Sequence, residues 1–335
     1  MPVRALWYRD HTLHLLDQRR LPGRTVIRRT RRVEEVASAI RTMVVRGAPA
    51  IGVAAAYGMA LASRSAKWSP ARAARVLRAT RPTAFDLFVG IETVRSAWAR
   101  GKDPEASADA YRTKVVEECH RIGANGAPLL ASARRVLTHC NAGALATVEW
   151  GTALAPIRVA HETNPRLFVF VDETRPLLQG SRLTAWELAR EGIPHAVIAD
   201  NAAGYYLSHR EIDAVIVGAD RIARNGDFAN KIGTYEKAVV AHENGVPFYV
   251  AAPWTTFDFR RTSGRDIPVE ERAPDEVLRF AGERIAPRRS EARNPAFDVT
   301  PARYVSGYVT PAGVVRPREV ARLATIARTE SASAP

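Results

Sequence analysis

The chain has 335 residues, of which 46% are hydrophobic and 25% charged, a composition that is ordinary for a globular protein long enough for two domains. Its longest mostly apolar run, residues 48–62, is shorter than the roughly 20 residues that a membrane span needs. Two cysteines are too few for a disulfide framework, and the first residues lack the apolar core of a secretory signal. We therefore expect a cytoplasmic protein without membrane contact.

The net charge of +14 raises the question of a nucleic-acid partner, because clustered basic side chains bind phosphate backbones. The 49 basic residues comprise 44 arginines and five lysines, which are scattered along the chain among acidic residues. This distribution is typical of solvated surface charge rather than of a binding face. The sequence therefore predicts no nucleic-acid partner.

Residues 1–123 are predicted to form a small, mostly helical domain after an initial polar, β-like segment. Apolar side chains recur at helical spacing over residues 33–44, 50–63, 69–78 and 104–121. Residues 122–128 (Ile-Gly-Ala-Asn-Gly-Ala-Pro) are rich in helix breakers and are the predicted hinge. The second domain is expected to span residues 124–335.

A candidate anion-binding loop lies just before the second predicted helix. Gly47 is flexible, and Pro49 suits the first position of a helix, so that the N–H groups at the helix start are free to face an anion. The guanidinium of Arg46 stands beside them. The sequence therefore predicts a phosphate-binding loop in the first domain.

After residue 129, short apolar strands alternate with helices, which predicts an α/β fold with a Rossmann-like, doubly wound parallel sheet. The predicted strands are residues 135–138, 167–171, 195–199, 214–217 and 247–251. Polar side chains follow every one of them. A single such residue commonly caps a helix, but five polar strand ends in a row favour a shared pocket at one edge of the sheet.

The fourth predicted strand carries the strongest signal, since Asp220 comes directly after a buried apolar run. Ten residues later, Asn230 and Lys231 precede a helical run that begins near Thr234, so amide, ammonium and helix-start N–H groups can meet one anion. The pattern indicates an enzyme for a phosphorylated small molecule. Zinc-type ligand spacing and a Gly-x-Gly-x-x-Gly motif are both absent from the sequence, so neither a metal nor a dinucleotide cofactor is expected.

Cys140 follows the first predicted strand and precedes a predicted helix, whose amide dipoles are expected to favour a thiolate. Cys119, on a predicted helix, is interpreted as a buried structural cysteine. His139 is predicted to pack rather than to pair with Cys140, because adjacent strand residues point to opposite faces. An ion pair at the pocket wall is the preferred interpretation of Asp172, Glu173 and Arg175, although a catalytic cluster is also open.

Several long motifs in the same order resemble the methylthioribose-1-phosphate isomerase family. They extend over roughly residues 7–317, and the superfamily also includes ribose-1,5-bisphosphate isomerases and the regulatory subunits of translation initiation factor 2B. The resemblance therefore implies the superfamily without by itself implying catalysis. The motifs are Arg46-Gly-Ala-Pro-Ala-Ile-Gly52, Thr138-His-Cys-Asn-Ala-Gly143, Asp172-Glu-Thr-Arg-Pro-Leu-Leu-Gln-Gly180, Gly218-Ala-Asp-Arg-Ile222 and Asn294-Pro-Ala-Phe-Asp-Val-Thr-Pro301.

The resemblance implies an aldose–ketose isomerase that acts in methionine salvage on 5-methylthioribose 1-phosphate, without a cofactor and commonly as a homodimer. An aldose esterified at C1 cannot open to a free aldehyde, so its ring oxygen must be protonated, which a carboxylic acid with a raised pKa can do. The family pattern assigns this role to Asp220 and makes Cys140 the second catalytic residue. It assigns substrate binding to Arg46, Gly47, Ala48, Arg81, Gln179, Asn230 and Lys231.

Other interpretations stay open at this point. The substrate could be 5-deoxyribose 1-phosphate or ribose 1,5-bisphosphate, or the chain could be a noncatalytic regulatory protein like the initiation-factor subunits. Members of the family usually have Val-Asn-Leu where this chain has Phe85-Asp86-Leu87. If Asp86 faces the pocket, its charge would disfavour a second phosphate. It could instead accept a sugar hydroxyl or face solvent.

Overall fold

A computed structural model of the protein describes residues 3–81 and 84–326. The amino-terminal half begins with an antiparallel sheet of three strands, β1 (Leu6–Arg9), β2 (Thr12–Leu16) and β3 (Ile27–Thr30). Helices follow, α1 (Val33–Arg41), α2 (Ala48–Ser63), α3 (Pro70–Arg78), α4 (Phe85–Ala99) and α5 (Pro104–Leu130). Four of these five helices overlap the predicted ones, and α4 is an addition.

Helix α2 is the centre of this half. Its residues from Ala48 to Ala62 are all buried, as expected for a helix that is apolar on every side. It packs closely against α4, since a side chain at Gly90 would overlap the carbonyl oxygen of Gly52. Helix α2 starts two residues earlier than predicted, so Pro49 is its second residue rather than its first.

The predicted hinge at residues 122–128 is wrong, because these residues continue helix α5 to Leu130. The two glycines serve close packing instead. A Cβ at Gly126 would lie 2.5 Å from the Pro156 side chain, and one at Gly123 would lie 3.3 Å from that of Ala155. Helix α5 therefore runs through the predicted domain boundary, and the division into residues 1–123 and 124–335 stays a prediction.

The carboxyl-terminal half contains the remaining strands, β4 (Arg135–Thr138), β5 (Phe168–Asp172), β6 (His195–Ile198), β7 (Ala214–Val217), β8 (Arg221–Ala223), β9 (Phe228–Lys231), β10 (Phe248–Ala251), β11 (Phe257–Asp258), β12 (Arg279–Phe280), β13 (Glu283–Arg284), β14 (Phe297–Thr300), β15 (Gly307–Thr310) and β16 (Gly313–Val315). Its helices are α6 (Leu154–Thr163), α7 (Ala185–Glu191), α8 (Ala202–Ser208), α9 (Thr234–Glu243) and α10 (Asp275–Leu278).

The main sheet has the order β16-β15-β10-β7-β4-β5-β6, and all its pairs are parallel except β15 with β16. Counted in chain order from β4, the six parallel strands run 3-2-1-4-5-6 from β6 to β15, which is the doubly wound Rossmann order. The five predicted strands are present within one residue. The predicted α/β fold class is confirmed.

Two hydrophobic clusters cover the opposite faces of this sheet. Along β7, Val215 and Val217 belong to one cluster, while Ala214 and Ile216 belong to the other. This alternation follows from the two-residue period of a strand. Among residues 3–81 and 84–326, no helix combines the length and the apolarity that a membrane crossing requires.

A second sheet, of order β11-β8-β9-β14, was not predicted. Strands β8 and β9 come after β7 in the chain, and β11 comes after β10. Strand β14 lies more than sixty residues after β9, with which it pairs. This sheet places Asn230 and Lys231 beside the carboxyl ends of the main sheet.

Candidate functional site

The site lies where the strand order of the main sheet reverses. Strands β4 and β7 are neighbours there, and Cys140 and Asp220 follow their carboxyl ends. The two loops also touch, because a Cβ at Gly218 would lie 2.8 Å from that of Ala142. Ligands of doubly wound sheets bind at this switch point, so the topology itself brings the thiol and the carboxyl group together.

The structure brings all nine predicted site residues to one cavity. Both halves of the chain contribute to its wall, and apolar side chains such as Ile51, Phe85 and Phe297 complete it. The predicted residues that line it are Arg46, Gly47, Ala48, Arg81, Cys140, Gln179, Asp220, Asn230 and Lys231.

Cys140 has a left-handed backbone, with φ of 62°, which is uncommon for a residue with a side chain. Two threonine hydroxyls hold it: its N–H donates to Thr174 Oγ1 at 2.9 Å, and its carbonyl accepts from Thr184 Oγ1 at 2.6 Å. Strained backbone of this kind is concentrated at functional sites. The surrounding bonds therefore fix the direction of the Cys140 side chain.

Burial raises the pKa of the Cys140 thiol, although the nearby charges of Lys231 and Arg46 and the N–H of Asn141 lower it. The expectation of a favoured thiolate is therefore wrong. The segment after Cys140 leads into a short 3₁₀ turn, Ala144–Ala146, instead of an α-helix with a strong dipole. A proton consequently stays on sulfur to a higher pH than in an ordinary cysteine.

Burial also raises the pKa of Asp220, against the lowering influence of Lys231, Arg81 and Arg46. Its backbone N–H donates to the carbonyl of Ala229 at 2.9 Å, which ties the loop after β7 to the second sheet. The side chain faces the cavity and is partly exposed. This is the environment that keeps a carboxylic acid protonated.

Arg46 is held by three hydrogen bonds. Its Nε donates to Gln18 Oε1 at 2.9 Å, its Nη1 donates to the Asn141 carbonyl at 2.9 Å, and its Nη2 donates to Asn141 Oδ1. Gly47 beside it has φ of 93°, a conformation that favours glycine, and packs directly on the backbone of Ala146. The guanidinium is thus fixed at the start of helix α2.

Lys231 is the second cation, and burial lowers its pKa against the charges of Cys140 and Asp220. Its Nζ donates to the carbonyl of Ala296 at 2.9 Å and lies 4.5 Å from the centre of the Phe297 ring. The neighbouring Asn230 donates to Thr234 Oγ1 at 3.0 Å. Both residues of strand β9 line the cavity, and their binding of an anion stays a prediction.

The predicted free N–H groups at the start of helix α9 are occupied, so this part of the prediction is wrong. The carboxylate of Asp298 accepts from the N–H of Gly233 at 2.7 Å and from that of Tyr235 at 3.1 Å. Asp298 comes from β14, which pairs with β9. The carboxylate of Asp298 thus occupies the start of helix α9, where the sequence analysis placed a bound anion.

Arg81 and Gln179 approach the cavity from opposite halves of the chain. Arg81 Nη2 donates to Glu270 Oε2 at 3.2 Å, a contact between the loop before α4 and the segment before β14. Within the part of the chain that the structure describes, the buried Oε1 atom of Gln179 has no hydrogen-bond partner. An acceptor in this state is suited to a ligand hydroxyl.

The buried cluster behind Cys140 differs from the ion pair predicted among Asp172, Glu173 and Arg175, because the Arg175 guanidinium donates to backbone carbonyl groups. His139 Nδ1 lies 2.9 Å from Asp172 Oδ2, His139 Nε2 lies 2.8 Å from the carbonyl of Ile232, and Lys237 Nζ lies 3.6 Å from Asp172 Oδ2. The cluster of His139, Asp172 and Asp200 has the spacing of a metal site. His139 and Lys237 both approach Asp172 Oδ2, and Asp200 accepts from the N–H groups of Thr174 and Arg175. Within the described residues, the buried Oδ1 atom of Asp172 has no hydrogen-bond partner.

Asp86 is fully buried, which rules out the solvent-facing alternative, and it is not among the residues that line the cavity. Burial raises its pKa to about 7, and the charge of Asp220 acts in the same direction, while the hydroxyl of Thr255 and the charge of Arg221 lower it. Near neutral pH the carboxyl group therefore carries only part of a charge.

Replacement of Asp86 by asparagine is expected to change the pH dependence of stability. The folded-state pKa is raised above the unfolded value of 3.8, so the wild-type protein loses stability as pH rises from about 4 to about 7. The free energy of unfolding of Asp86→Asn, relative to wild type, should rise over this range by up to roughly 4 kcal/mol. Urea unfolding at pH 4.5 and pH 8 measures the difference.

A matched control for this experiment is Asp10→Asn, since the Asp10 side chain is 86% exposed and asparagine also tolerates its left-handed backbone. Its effect should be the same at both pH values. An equal effect of Asp86→Asn at pH 4.5 and pH 8 would contradict the raised pKa of Asp86.

Sequence reasoning missed the residues that hold the predicted ones. Asn141 lies in the motif of residues 138–143, but no sequence pattern around Gln18 or Glu187 indicates a role at the site. Both are buried, and both reach the Arg46 environment from distant parts of the chain. Only the fold brings them together.

Comparisons with known proteins identify the family of the chain. The model of the initiation factor 2 subunit family matches residues 44–317. A methylthioribose-1-phosphate isomerase from Geotalea uraniireducens is 50% identical over 333 residues, which cover 94% of this chain and 96% of the relative.

Two solved structures resemble the chain over nearly its whole length, each with 42% sequence identity. The crystal structure of 5-methylthioribose 1-phosphate isomerase from Pyrococcus horikoshii OT3 has a TM-score of 0.88 and covers 98% of this chain and 96% of its own. The crystal structure of translation initiation factor eIF-2B, subunit delta, from A. fulgidus has a TM-score of 0.83, and the match covers 97% of this chain and 99% of that one. The chain therefore belongs to the initiation factor 2 subunit family and, within it, to the methylthioribose-1-phosphate isomerases.

Proposed function

We propose that this protein converts 5-methylthioribose 1-phosphate into 5-methylthioribulose 1-phosphate, an aldose–ketose isomerisation in methionine salvage. The observation that carries the proposal is a thiol and a carboxylic acid with raised pKa values in one cavity, at the switch point of the sheet and beside buried cations. The names of relatives at about 50% identity agree with it.

The phosphate binds among three cations, Arg46, Arg81 and Lys231. Since Arg81 is paired with Glu270, the net charge of the group is +2, which matches a dianion. Gly47 and Ala48 contribute the start of helix α2, where the helix dipole favours negative charge. Asn230 completes the phosphate site, and Gln179 accepts a hydrogen bond from a sugar hydroxyl. These contacts fix C1 and C2 of the sugar between Cys140 and Asp220.

Asp220 acts as the general acid. It donates its proton to the ring oxygen as the bond between that oxygen and C1 breaks, which replaces the aldehyde opening that the phosphate ester prevents. The raised pKa of Asp220 supports this role because the acid must be protonated when the substrate binds.

The hydrogen on C2 must then reach C1. In a proton route, the small fraction of Cys140 that is a thiolate removes it as a proton, and an enol phosphate forms. A proton then returns to C1, and the C2 hydroxyl loses its proton to give the ketone. In a hydride route, the hydrogen moves with its electron pair from C2 to the electron-poor C1, and the C2 hydroxyl loses its proton to give the ketone. A sugar that fills the cavity displaces water from it, which suits either route.

The test is NMR of a panel of pentose 1-phosphates incubated with the protein in deuterated water. We expect conversion of 5-methylthioribose 1-phosphate, with deuterium at C1 for the proton route and without it for the hydride route. Conversion of only 5-deoxyribose 1-phosphate or ribose 1,5-bisphosphate would contradict the proposed substrate. Binding of these compounds without conversion of any would favour a regulatory function like that of the initiation-factor subunits.

The protein is further proposed to act in the cytoplasm as a homodimer without a nucleic-acid partner. Many arginines are already paired with carboxylates, for example Arg78 with Glu92 and Arg293 with Glu271, which supports the last point. Sedimentation velocity would measure the oligomeric state, and a mass of about one chain would contradict the dimer.

A further inference from the structure

The hydrogen bonds of Arg46 leave part of its guanidinium free for a ligand. A guanidinium has five N–H donors, and Arg46 uses three of them on Gln18 and Asn141. One N–H remains on each terminal nitrogen. The two partners therefore decide in which direction the remaining donors point.

Asn141 supplies two of the three acceptors and is itself fixed on its other side. Its Nδ2 donates to Glu187 Oε1 at 2.8 Å and to Thr184 Oγ1 at 3.1 Å. These bonds set the orientation of the amide, so that Oδ1 faces Arg46. Without them the amide could turn and present its NH₂ group to a cation.

Glu187 is the fixed point of this chain of contacts. Its carboxylate is fully buried and also accepts from the N–H of Ala144 at 2.8 Å, from that of Leu145 at 3.2 Å and from Arg158 Nη2 at 2.6 Å. Gly143 makes room for it, since a side chain there would collide with the carboxylate. One side chain therefore organises the whole turn that follows Cys140.

Glu187 also provides negative charge for Arg46. Burial lowers the pKa of Arg46, and the charges of Cys140, Glu187 and Asp220 oppose this effect. Cys140 and Asp220 line the cavity, whereas Glu187 lies outside it and acts on Arg46 from behind.

We propose that Glu187 is a positioning residue for the substrate phosphate: through Asn141 it aims the free N–H groups of Arg46 into the cavity without touching the ligand itself. This inference rests on the proposed function, in which Arg46 binds the phosphate. It predicts that the charge and shape of a side chain outside the cavity set the affinity for the anion.

Helix α7 offers a matched control. Glu191, one turn after Glu187, also pairs with Arg158, its Oε2 lying 2.6 Å from Arg158 Nε. Both glutamates are thus partners of Arg158. Glu187 differs because it also accepts hydrogen bonds from Asn141 and from the N–H groups of Ala144 and Leu145. A comparison of Glu187→Gln with Glu191→Gln separates positioning of Arg46 from loss of an Arg158 ion pair.

The experiment measures the Kd of inorganic phosphate by titration calorimetry and, in parallel, the KM, kcat and melting temperature of wild type and both variants. Glu187→Gln should weaken phosphate binding by roughly 10-fold or more and raise KM similarly, because hydrogen bonds to charged groups are the strong ones. Its kcat should change much less. Glu191→Gln should keep the phosphate affinity of wild type.

The double variant Glu187→Gln/Asn141→Ala should lose less phosphate affinity than the sum of the two single losses, since the main effect of Glu187 passes through Asn141. If Glu187→Gln does not fold, Asn141→Ala carries the test by itself and should show the same loss of affinity.

Three outcomes would overturn the inference: equal losses of affinity in Glu187→Gln and Glu191→Gln, additive losses in the double variant, or no phosphate binding by wild type. A wild type that binds phosphate with the predicted variant pattern but converts no pentose 1-phosphate would instead overturn the proposed function. The two failures are therefore distinguishable.

Discussion

Asp220→Asn should lower kcat by roughly 10²–10⁴-fold, the usual contribution of a positioned general acid or base. Asparagine keeps the shape of the side chain but has no acidic proton to give to the ring oxygen. Phosphate affinity should stay close to that of wild type, because Asp220 is not a ligand of the anion in the proposed site. Steady-state kinetics combined with phosphate titration measures both quantities.

The pH profile gives the same prediction a second test. The pKa of Asp220 is raised, so the acid keeps its proton at pH values where an ordinary aspartate is ionised. In wild type, kcat/KM should therefore fall as pH rises through this pKa. Asp220→Asn should lose that descending limb, whereas Asp275→Asn, whose side chain is 66% exposed, should keep it. Persistence of the limb in Asp220→Asn would assign the acid to another group.

Cys140→Ala should likewise lower kcat by roughly 10²–10⁴-fold if the sulfur takes part in proton transfer. The backbone at this position is held by Thr174 and Thr184 rather than by the sulfur, so folding should be retained. Binding of phosphate should also be retained. Kinetics, phosphate titration and circular dichroism of the purified variant check the three parts.

Cys119 provides the matched control, as the other thiol of the chain. It is fully buried on helix α5, and burial raises its pKa to about 12. Cys119→Ala should cost some stability but leave kcat and KM close to those of wild type. If Cys140→Ala retained more than a tenth of the wild-type kcat, the role proposed for the thiol would have to be abandoned.

The strands of the main sheet and the residues at their ends could be predicted from the sequence, because both are local properties. A run such as Ala214–Val217 is buried on both faces, so its apolar pattern is continuous, and Asp220 lies three residues beyond its end. The position of Cys140 beside Asp220 follows from the strand order, in which β4 and β7 are neighbours.

The features that the sequence did not predict depend on contacts between distant residues. Strand β14 pairs with β9, and its Asp298 then caps helix α9, so no local pattern near Thr234 could exclude a free helix start. Helix α4 begins after Ala84, which makes no side-chain cap, and its apolar residues are not confined to one face. The support of Arg46 by Glu187 likewise requires the tertiary fold.

The continuity of helix α5 has a consequence for how the two halves of the chain are joined. A helix of 27 residues contacts α2 and α4 of the amino-terminal half and α6 and β15 of the carboxyl-terminal half, so both halves share one unbroken element. The ion pair of Arg81 with Glu270 adds a second connection beside the cavity. Continuous backbone and side-chain contacts therefore both hold the walls of the cavity together.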